Sequence, residues 1–172
     1  MRKIILFIAD SLDGYIARKN GKVDWLFTEG EYGFSKFYNT IDTVVMGRKT
    51  YDISLELEGK EPFKGKQVFV FTKSKEAESH GRIKFVITEI VEFTKELLKK
   101  DGKNIWLVGG GEIVKVFFES NLIDEIVLSI HPIILGDGIP LFLNNSHQTN
   151  LELRVHKNFD NGLVQLTYDV VK

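Results

Sequence analysis

Short apolar runs rich in β-branched residues recur along the chain and predict a series of strands. Five of these runs are continuous rather than alternating, which is typical of strands covered on both faces of a sheet. They comprise residues 4–9, 43–46, 67–71, 83–87 and 104–108. Two later runs, at residues 125–135 and 162–171, are longer, and the second partly alternates between apolar and polar side chains. The last two runs therefore predict an antiparallel pair at one edge of the sheet.

Segments with helical periodicity lie between the strands, at residues 33–40, 88–100 and 112–121. In the second segment the apolar residues recur at the three- and four-residue spacing that places them on one helix face. Because strands alternate with helices, we expect an α/β fold with three layers, α/β/α, built on a mainly parallel mixed sheet. The antiparallel strands at the C-terminal end are expected to form one edge of that sheet.

Length and composition narrow the function classes. A chain of 172 residues fits one domain over residues 1–172. Its formal net charge of −1, from 23 basic and 24 acidic side chains, gives no overall attraction to nucleic acid or to an anionic membrane. The absence of cysteine excludes disulfides, cysteine zinc sites and thiol nucleophiles. The histidines show no ligand spacing, so we expect no metal site.

The first apolar run stops at Asp10, so it is too short for a signal peptide or a membrane span. No other apolar run approaches the roughly 18 residues that a membrane helix needs. Together with the lack of cysteine, which suits a reducing compartment, these features predict a cytoplasmic protein that acts on a small molecule.

Two strand ends run into glycine and then into a predicted helix. The two junctions are Gly47-Arg48-Lys49-Thr50 and Gly109-Gly110-Gly111. Ligands of open α/β sheets bind beyond the carboxyl ends of the strands. There the first backbone N–H groups of a helix are unpaired, and glycine lets an anion approach them closely. Arg48 and Thr50 add side-chain donors, so the junctions predict a phosphate site. The alternative is that the glycines only allow tight turns.

A third strand end carries hydroxyl and ammonium groups, in the sequence Thr72-Lys73-Ser74-Lys75. These side chains could hold a second phosphate, such as the one that distinguishes NADP from NAD. The composition of the segment fits a solvated charged loop equally well.

The loop after the first strand brings candidate carboxylates and an aromatic residue. The carboxylates are Asp10, Asp13, Asp24, Glu29 and Glu31. Any of them, if desolvated, could hold a proton at neutral pH, and the sequence does not choose among them. Trp25 could stack on a flat ring of a substrate, or it could be an ordinary core aromatic.

Six segments, taken in order, form a recognisable set. They are IADSLDGYIA, Trp25, VVMGRKTY, VFVFTKS, IWLVGGGEIVKVF and DEIVLSIHPIILGDGIPLF. Together they resemble the dihydrofolate reductase-like superfamily over nearly the whole chain. The segment PIILGDGIPLF most resembles the reductase domain at the C-terminus of the bifunctional riboflavin-biosynthesis deaminase-reductase. The resemblance implies a dihydrofolate reductase-like fold that binds NADPH, and its riboflavin-type branch also suggests a homodimer.

The resemblance implies cofactor contacts at positions that match the family's motifs. Diphosphate-binding positions are Gly47, Arg48, Lys49, Thr50, Gly109, Gly110, Gly111, Glu112 and Ile113, with Val108 directly before the glycine run. The loop that binds the 2′-phosphate matches Thr72, Lys73 and Ser74. Ala9 and Ile16 fall where the family lines the nicotinamide.

The resemblance also bears on the catalytic acid and the substrate. Glu31 falls where dihydrofolate reductases carry the acid that holds and helps to protonate the pterin, and Asp13 is a second candidate. The resulting hypothesis is an NADPH-dependent reductase that passes a hydride to the C=N carbon of a nitrogen heterocycle or a sugar imine. The preferred substrate is 5-amino-6-(5-phosphoribosylamino)uracil, with dihydrofolate second. A module that binds NADPH without turnover is the alternative, because spacing fixes no catalytic acid.

Overall fold

The computed structural model describes residues 1–143 and 148–172, and within them the chain forms ten strands. These are β1 (Ile4–Ser11), β2 (Tyr15–Ala17), β3 (Ile41–Gly47), β4 (Gln67–Phe71), β5 (Ile83–Val86), β6 (Asn104–Gly109), β7 (Glu125–His131), β8 (Ile139–Pro140), β9 (Leu151–Asn158) and β10 (Val164–Val170). Eight of them form one sheet in the order β5-β4-β3-β6-β1-β7-β10-β9, and β2 pairs with β8 in a separate antiparallel ribbon.

The first six strands in this order, β5, β4, β3, β6, β1 and β7, are parallel to one another. Strand β10 is antiparallel to both of its neighbours, β7 and β9. The predicted mixed sheet with an antiparallel C-terminal edge is therefore confirmed. The run at residues 125–135 forms a shorter strand than its apolar character suggests. Strand β7 ends at His131 because Pro132 has no backbone N–H to continue the ladder.

Helices cover both faces of the sheet, as the alternation of elements predicts. They are α1 (Phe34–Asn39), α2 (Arg48–Glu58), α3 (Ile90–Leu98) and α4 (Gly111–Glu119). Apolar side chains of α1 and α2 pack on one face, and those of α3 and α4 pack on the other. This gives the expected three layers, α/β/α. No helix of the described residues has the length and apolar character to cross a membrane.

The carboxyl ends of β1 and β6 separate in the middle of the sheet. Their pairing is recorded only from Ile4–Ile105 to Leu6–Leu107, although β1 continues to Ser11. Strand β6 instead keeps its pairing with β3 as far as Gly109. A split between two parallel strands at their carboxyl ends is where open α/β sheets bind ligands.

A buried arginine joins the opposite ends of the same strands. Arg2 is only 8% exposed, and its guanidinium donates to Asp42 Oδ1 at 2.5 Å and to Thr43 Oγ1 at 2.6 Å. It also donates to the Lys103 carbonyl oxygen at 2.6 Å. These contacts tie the amino ends of β1, β3 and β6 together, far from the split.

Candidate functional site

The two glycine junctions lie side by side in the fold. Strands β3 and β6 are neighbours, with Met46 in register with Gly109. A methyl group added at Gly110 would lie 3.3 Å from Thr50 Oγ1, and one added at Gly47 would lie 3.0 Å from Ile113 Cγ1. The structure thus brings both predicted phosphate-binding junctions to one place, where any side chain larger than hydrogen would crowd the opposite helix start.

Both helix starts leave their first N–H groups without a side-chain cap. The N-cap of α2 is Gly47 and that of α4 is Gly110, and neither makes a side-chain capping bond. Unpaired N–H groups and the positive end of each helix dipole favour a negatively charged ligand. Two such helix starts in contact suit a diphosphate.

Arg48 lies on the side of the junctions that faces β4 and β5. Its guanidinium carbon is 5.3 Å from the centre of the Phe85 ring, and its Nε donates to Asp52 Oδ1 at 2.8 Å. Arg48 lines a cavity of about 370 Å³ whose other lining residues are Ser74, Glu76, Ala77, Glu78 and Phe85. The cavity therefore offers one guanidinium and one hydroxyl to an anion, but also two carboxylates that oppose it.

The predicted 2′-phosphate loop contributes unequally to this cavity. Of Thr72, Lys73 and Ser74, only Ser74 lines it. Thr72 Oγ1 accepts the Ser74 backbone N–H at 3.1 Å and so shapes the loop, whereas Lys73 is an exposed side chain. Lys49, in the first junction, is likewise exposed.

The remaining predicted cofactor positions surround the split between β1 and β6. Ala9 follows the last recorded β1–β6 pair and is half-buried. Ile16 and Ile113 pack against the core on the α3 and α4 side, whereas Val108 packs against the core on the α1 and α2 side. Glu112 is exposed in the first turn of α4.

An aromatic wall that the sequence did not predict lies on the α1 side of β1 and β7. The Phe7 ring stacks on Phe37 at 4.4 Å, and Phe34 meets it edge-on at 5.8 Å. Phe27 and Phe34 are each 38% exposed, which is unusual for such large apolar side chains. This wall gives a flat ring a surface to stack on.

Trp25 lies on the same face of the sheet and is buried against His131, with ring centres 5.2 Å apart. Its Nε1–H is buried without a hydrogen-bond partner among the described residues. His131 Nε2 accepts the Phe27 backbone N–H at 3.2 Å, and its other ring nitrogen lies 3.2 Å from the Ser129 carbonyl oxygen. Burial lowers the pKa of His131 and favours the neutral ring that this arrangement needs. These contacts give His131 a structural role between β7 and the segment that carries Trp25 and Phe27.

Glu31 lies three residues before helix α1, and its carboxylate binds backbone N–H groups at the start of that helix. Its carboxylate accepts the backbone N–H groups of Gly33, at 2.8 Å, and of Ser35, and the side chain is exposed. The Ser35 N–H, followed by the Ser35 hydroxyl and the Gly33 N–H, lowers the pKa of Glu31. A carboxylate held in its ionised form by helix N–H groups is a poor proton donor at neutral pH.

Asp13 ties two loops together. Its carboxylate accepts the Ser11 hydroxyl at 2.6 Å and the backbone N–H groups of Leu135, at 3.1 Å, and Gly136, at 2.8 Å. The Ser11 hydrogen bond is the largest of the contacts that lower the pKa of Asp13. The structure thus gives Asp13 a loop-anchoring role and disfavours it as a proton donor.

Asp10 is the buried member of the five candidate carboxylates, since the other four are exposed. Burial is the main cause that raises the pKa of Asp10 to about 7. Sequence reasoning included Asp10 among the candidates but did not choose it, because its burial depends on packing of distant segments.

The family model of the RibD C-terminal domain matches residues 55–165. The chain belongs to the RibD C-terminal domain family. This family membership confirms the reductase-type family, within the dihydrofolate reductase-like superfamily, that the sequence motifs predict.

Relatives of this RibD C-terminal domain include the uncharacterized protein YwjB of Bacillus subtilis (strain 168). The two are 41% identical over 170 residues, which make up 97% of each chain. A proposed riboflavin biosynthesis protein from Shewanella sp. PV-4 has a similar crystal structure, with a TM-score of 0.87 and 32% identity over all of both chains. Dihydrofolate reductase from Enterococcus faecalis, complexed with NADP(H), shares the fold at a TM-score of 0.71 and 18% identity, covering 99% of this chain and 97% of that one.

Proposed function

We propose that this protein is an NADPH-dependent reductase that passes a hydride to a C=N carbon of a flat nitrogen heterocycle or its ribosylamine. The observation that carries the proposal is the contact between two uncapped helix starts at Gly47 and Gly110. Membership of a reductase-type family supports the redox chemistry. The similar fold of a dihydrofolate reductase complexed with NADP(H) agrees with it.

The residues present fit the parts of this cofactor. The N–H groups at the starts of α2 and α4 would hold the diphosphate, and Arg48 and Ser74 would hold the phosphate on the adenosine side. A dinucleotide that starts at this cavity and crosses β3 and β6 ends at the split beside β1, at Ala9. When bound there, NADPH would supply the hydride, and the protein would align donor and acceptor and exclude water.

The aromatic wall and Trp25 support the substrate class. Phe34 and Phe27 offer exposed rings on which a flat heterocycle can stack. The unpartnered Trp25 Nε1–H is suited to donate to a ring carbonyl or nitrogen of that substrate. Among such compounds we place 5-amino-6-(5-phosphoribosylamino)uracil first and dihydrofolate second.

The proposal is tested by following the absorbance of NADPH with each of these two substrates in turn. We expect substrate-dependent oxidation of NADPH by at least one of them. Saturable NADPH binding without oxidation by any pyrimidine or pterin would contradict the reductase and favour a cofactor-binding module.

Arg48→Met is expected to weaken NADPH binding by about tenfold while NADH binding changes little, because NADH lacks the phosphate that Arg48 would hold. Fluorescence titration with both nucleotides measures the two affinities. Lys95→Met, at an exposed position on α3, is the matched control and should change neither affinity. Equal losses for NADPH and NADH in Arg48→Met would remove the reason to place the 2′-phosphate in this cavity, and Lys73→Ala would then be the next variant to test.

We also propose a homodimer that forms through the C-terminal edge of the sheet. Strand β9 is the outermost strand, and Leu151, Leu153 and Val155 in it are 40–53% exposed. Leu153 is in register with Tyr168 and Leu151 with Val170, and both of these β10 side chains pack against the α3 and α4 core. The apolar surface of β9 thus continues that core, and a second copy of this chain would cover it.

Leu153→Arg is expected to shift the protein from dimer to monomer, because a buried guanidinium on each side of a two-fold contact has no partner. Sedimentation velocity measures the change in mass. Lys84→Arg on the opposite edge strand is the control and should leave the mass unchanged. A wild-type protein that sediments as a monomer at all concentrations would contradict the dimer.

A further inference from the structure

Asp10 has a buried side-chain oxygen with no hydrogen-bond partner among the described residues, and neither the fold nor the proposed reaction explains it. The residue is 6% exposed, and its Oδ1 makes no hydrogen bond to the described residues. Leaving a buried acceptor unpaired costs free energy, so such atoms are rare in folded proteins. An unpaired acceptor beside a ligand site favours a donor group on the ligand.

Asp10 lies on the side of the split where the far end of the cofactor is expected. Successive side chains of a strand alternate between its faces, so Asp10 shares a face with Ile8. Ile8 Cδ1 lies 3.3 Å from the position of a methyl group added at Gly109. Asp10 is therefore about 7 Å further along the same face of β1 than Ile8.

The order of strands indicates which part of the cofactor reaches this point. The cavity at Arg48 lies beyond β4 and β5, the two helix starts lie beyond β3 and β6, and β1 is the next strand. If the adenosine occupies the cavity and the diphosphate the helix starts, the nicotinamide falls at the carboxyl end of β1. Its carboxamide is a planar group with two N–H donors and one carbonyl acceptor.

The opposite face of β1 carries the aromatic wall, so Asp10 faces the cofactor rather than the substrate. Phe7 and Ser11 have the parity of that opposite face, and Phe7 packs against α1. This placement separates the role of Asp10 from proton transfer to a heterocycle stacked on Phe34.

Titratable groups near Asp10 come from the elements next to the end of β1. Among titratable residues on neighbouring elements, Asp13 follows it, Tyr15 lies in β2, Glu112 begins α4 and His131 lies on the other face of β7. Burial raises the pKa of Asp10 to about 7, its own backbone N–H lowers it, and Asp13 raises it further. Below neutral pH the side chain is therefore a carboxylic acid, with one donor and one acceptor.

We infer that Asp10, in its neutral form, pairs with the nicotinamide carboxamide through two hydrogen bonds and so positions the ring. This inference rests on the cofactor site of the proposed function. The Asp10 O–H donates to the carboxamide oxygen, and the buried acceptor oxygen accepts one carboxamide N–H. Ionisation removes the O–H and one of the two bonds, so affinity for NADPH falls as the pH rises through the Asp10 titration.

The first test compares NADPH with its 3-acetylpyridine analogue, in which a methyl group replaces the carboxamide nitrogen. We expect wild-type protein to bind NADPH about tenfold more tightly than the analogue, because the analogue keeps the carbonyl oxygen but lacks the N–H that the buried Asp10 oxygen would accept. Asp10→Leu should lose this discrimination, because it removes the acceptor that tells the carboxamide N–H from a methyl group, and NADPH binding should weaken more than binding of the analogue. Calorimetry measures all four affinities, and circular dichroism checks that the variant is folded.

The second test uses the conservative variant and pH. Asp10→Asn keeps one donor and one acceptor, so it should bind NADPH like the wild type at about pH 6, but without the loss of affinity at higher pH. Glu29→Gln, at an exposed carboxylate outside the site, should keep the wild-type pH profile. This comparison tests the role of Asp10 even if the Asp10→Leu variant does not fold.

The outcomes separate this inference from the proposed function. Equal affinities of wild-type protein for NADPH and the analogue, or the same pH profile in wild type and Asp10→Asn, would overturn the role of Asp10 alone. A wild-type protein that binds neither nucleotide would overturn the cofactor site and Asp10 together. NADPH binding with the expected discrimination but without substrate reduction would contradict only the reductase.

Discussion

Gly110→Val is expected to abolish binding of NADPH while the sheet stays folded. Gly110 is the N-cap of α4, and a Cβ at this position already lies 3.3 Å from Thr50 Oγ1. The two further methyl groups of valine would fill the space between the helix starts, where the diphosphate is expected. We expect the dissociation constant to rise by about a hundredfold or more, measured by fluorescence titration.

Two comparisons separate crowding of the site from loss of the fold. Gly110→Ala adds only the methyl group and should give a smaller loss of affinity. Glu96→Val, at an exposed position on α3, should bind NADPH like the wild type. Wild-type affinity in folded Gly110→Val would mean that the glycine run is a turn and nothing more.

Arg2→Met is expected to destabilise the fold by about 3 kcal/mol without weakening NADPH binding to the folded protein. The guanidinium of Arg2 is buried and donates to two separate segments, at Asp42 and Thr43 in β3 and at Lys103 before β6. Methionine retains much of the packing but leaves these acceptors unpaired. The free energy of unfolding, measured by urea denaturation with circular dichroism, gives the effect.

Arg18→Met is the matched control for the same change of side chain. Arg18 also pairs with an aspartate, Asp24, at 2.7 Å, but both side chains are largely exposed. An exposed ion pair contributes little, so the free energy of unfolding should stay close to that of the wild type. Similar losses in the two variants would show that burial of Arg2 is not what makes its contacts stabilising.

The sequence predicts the strands best where burial on both faces makes the apolar run continuous. The run at residues 67–71 coincides with β4, and the glycine junctions fall at strand ends as expected. Strand β9 was missed because all of its side chains are exposed and its sequence, LELRVHKN, lacks an apolar run. Strands β2 and β8 were missed because they have only three and two residues.

In the candidate site, too, the sequence predicts local features better than features that depend on the packing of distant segments. Backbone features such as glycine at a helix start are local, so the sequence predicts Gly47 and Gly110 correctly as the starts of helices. The environment of a carboxylate is not local. Glu31 and Asp13 bind nearby N–H groups that keep them ionised, whereas Asp10 is buried by distant segments. For the same reason, the burial of Trp25 against His131, with its Nε1–H unpaired among the described residues, could be seen only in the structure.

Calorimetric titration of wild-type protein with NADPH tests the central claim most directly. If the paired starts of α2 and α4 bind the cofactor diphosphate, heat should saturate at one nucleotide per chain with a dissociation constant of about a micromolar, within the range usual for enzyme ligands. Absence of any heat up to about a millimolar nucleotide, from protein shown to be folded, would contradict the cofactor site and the function built on it.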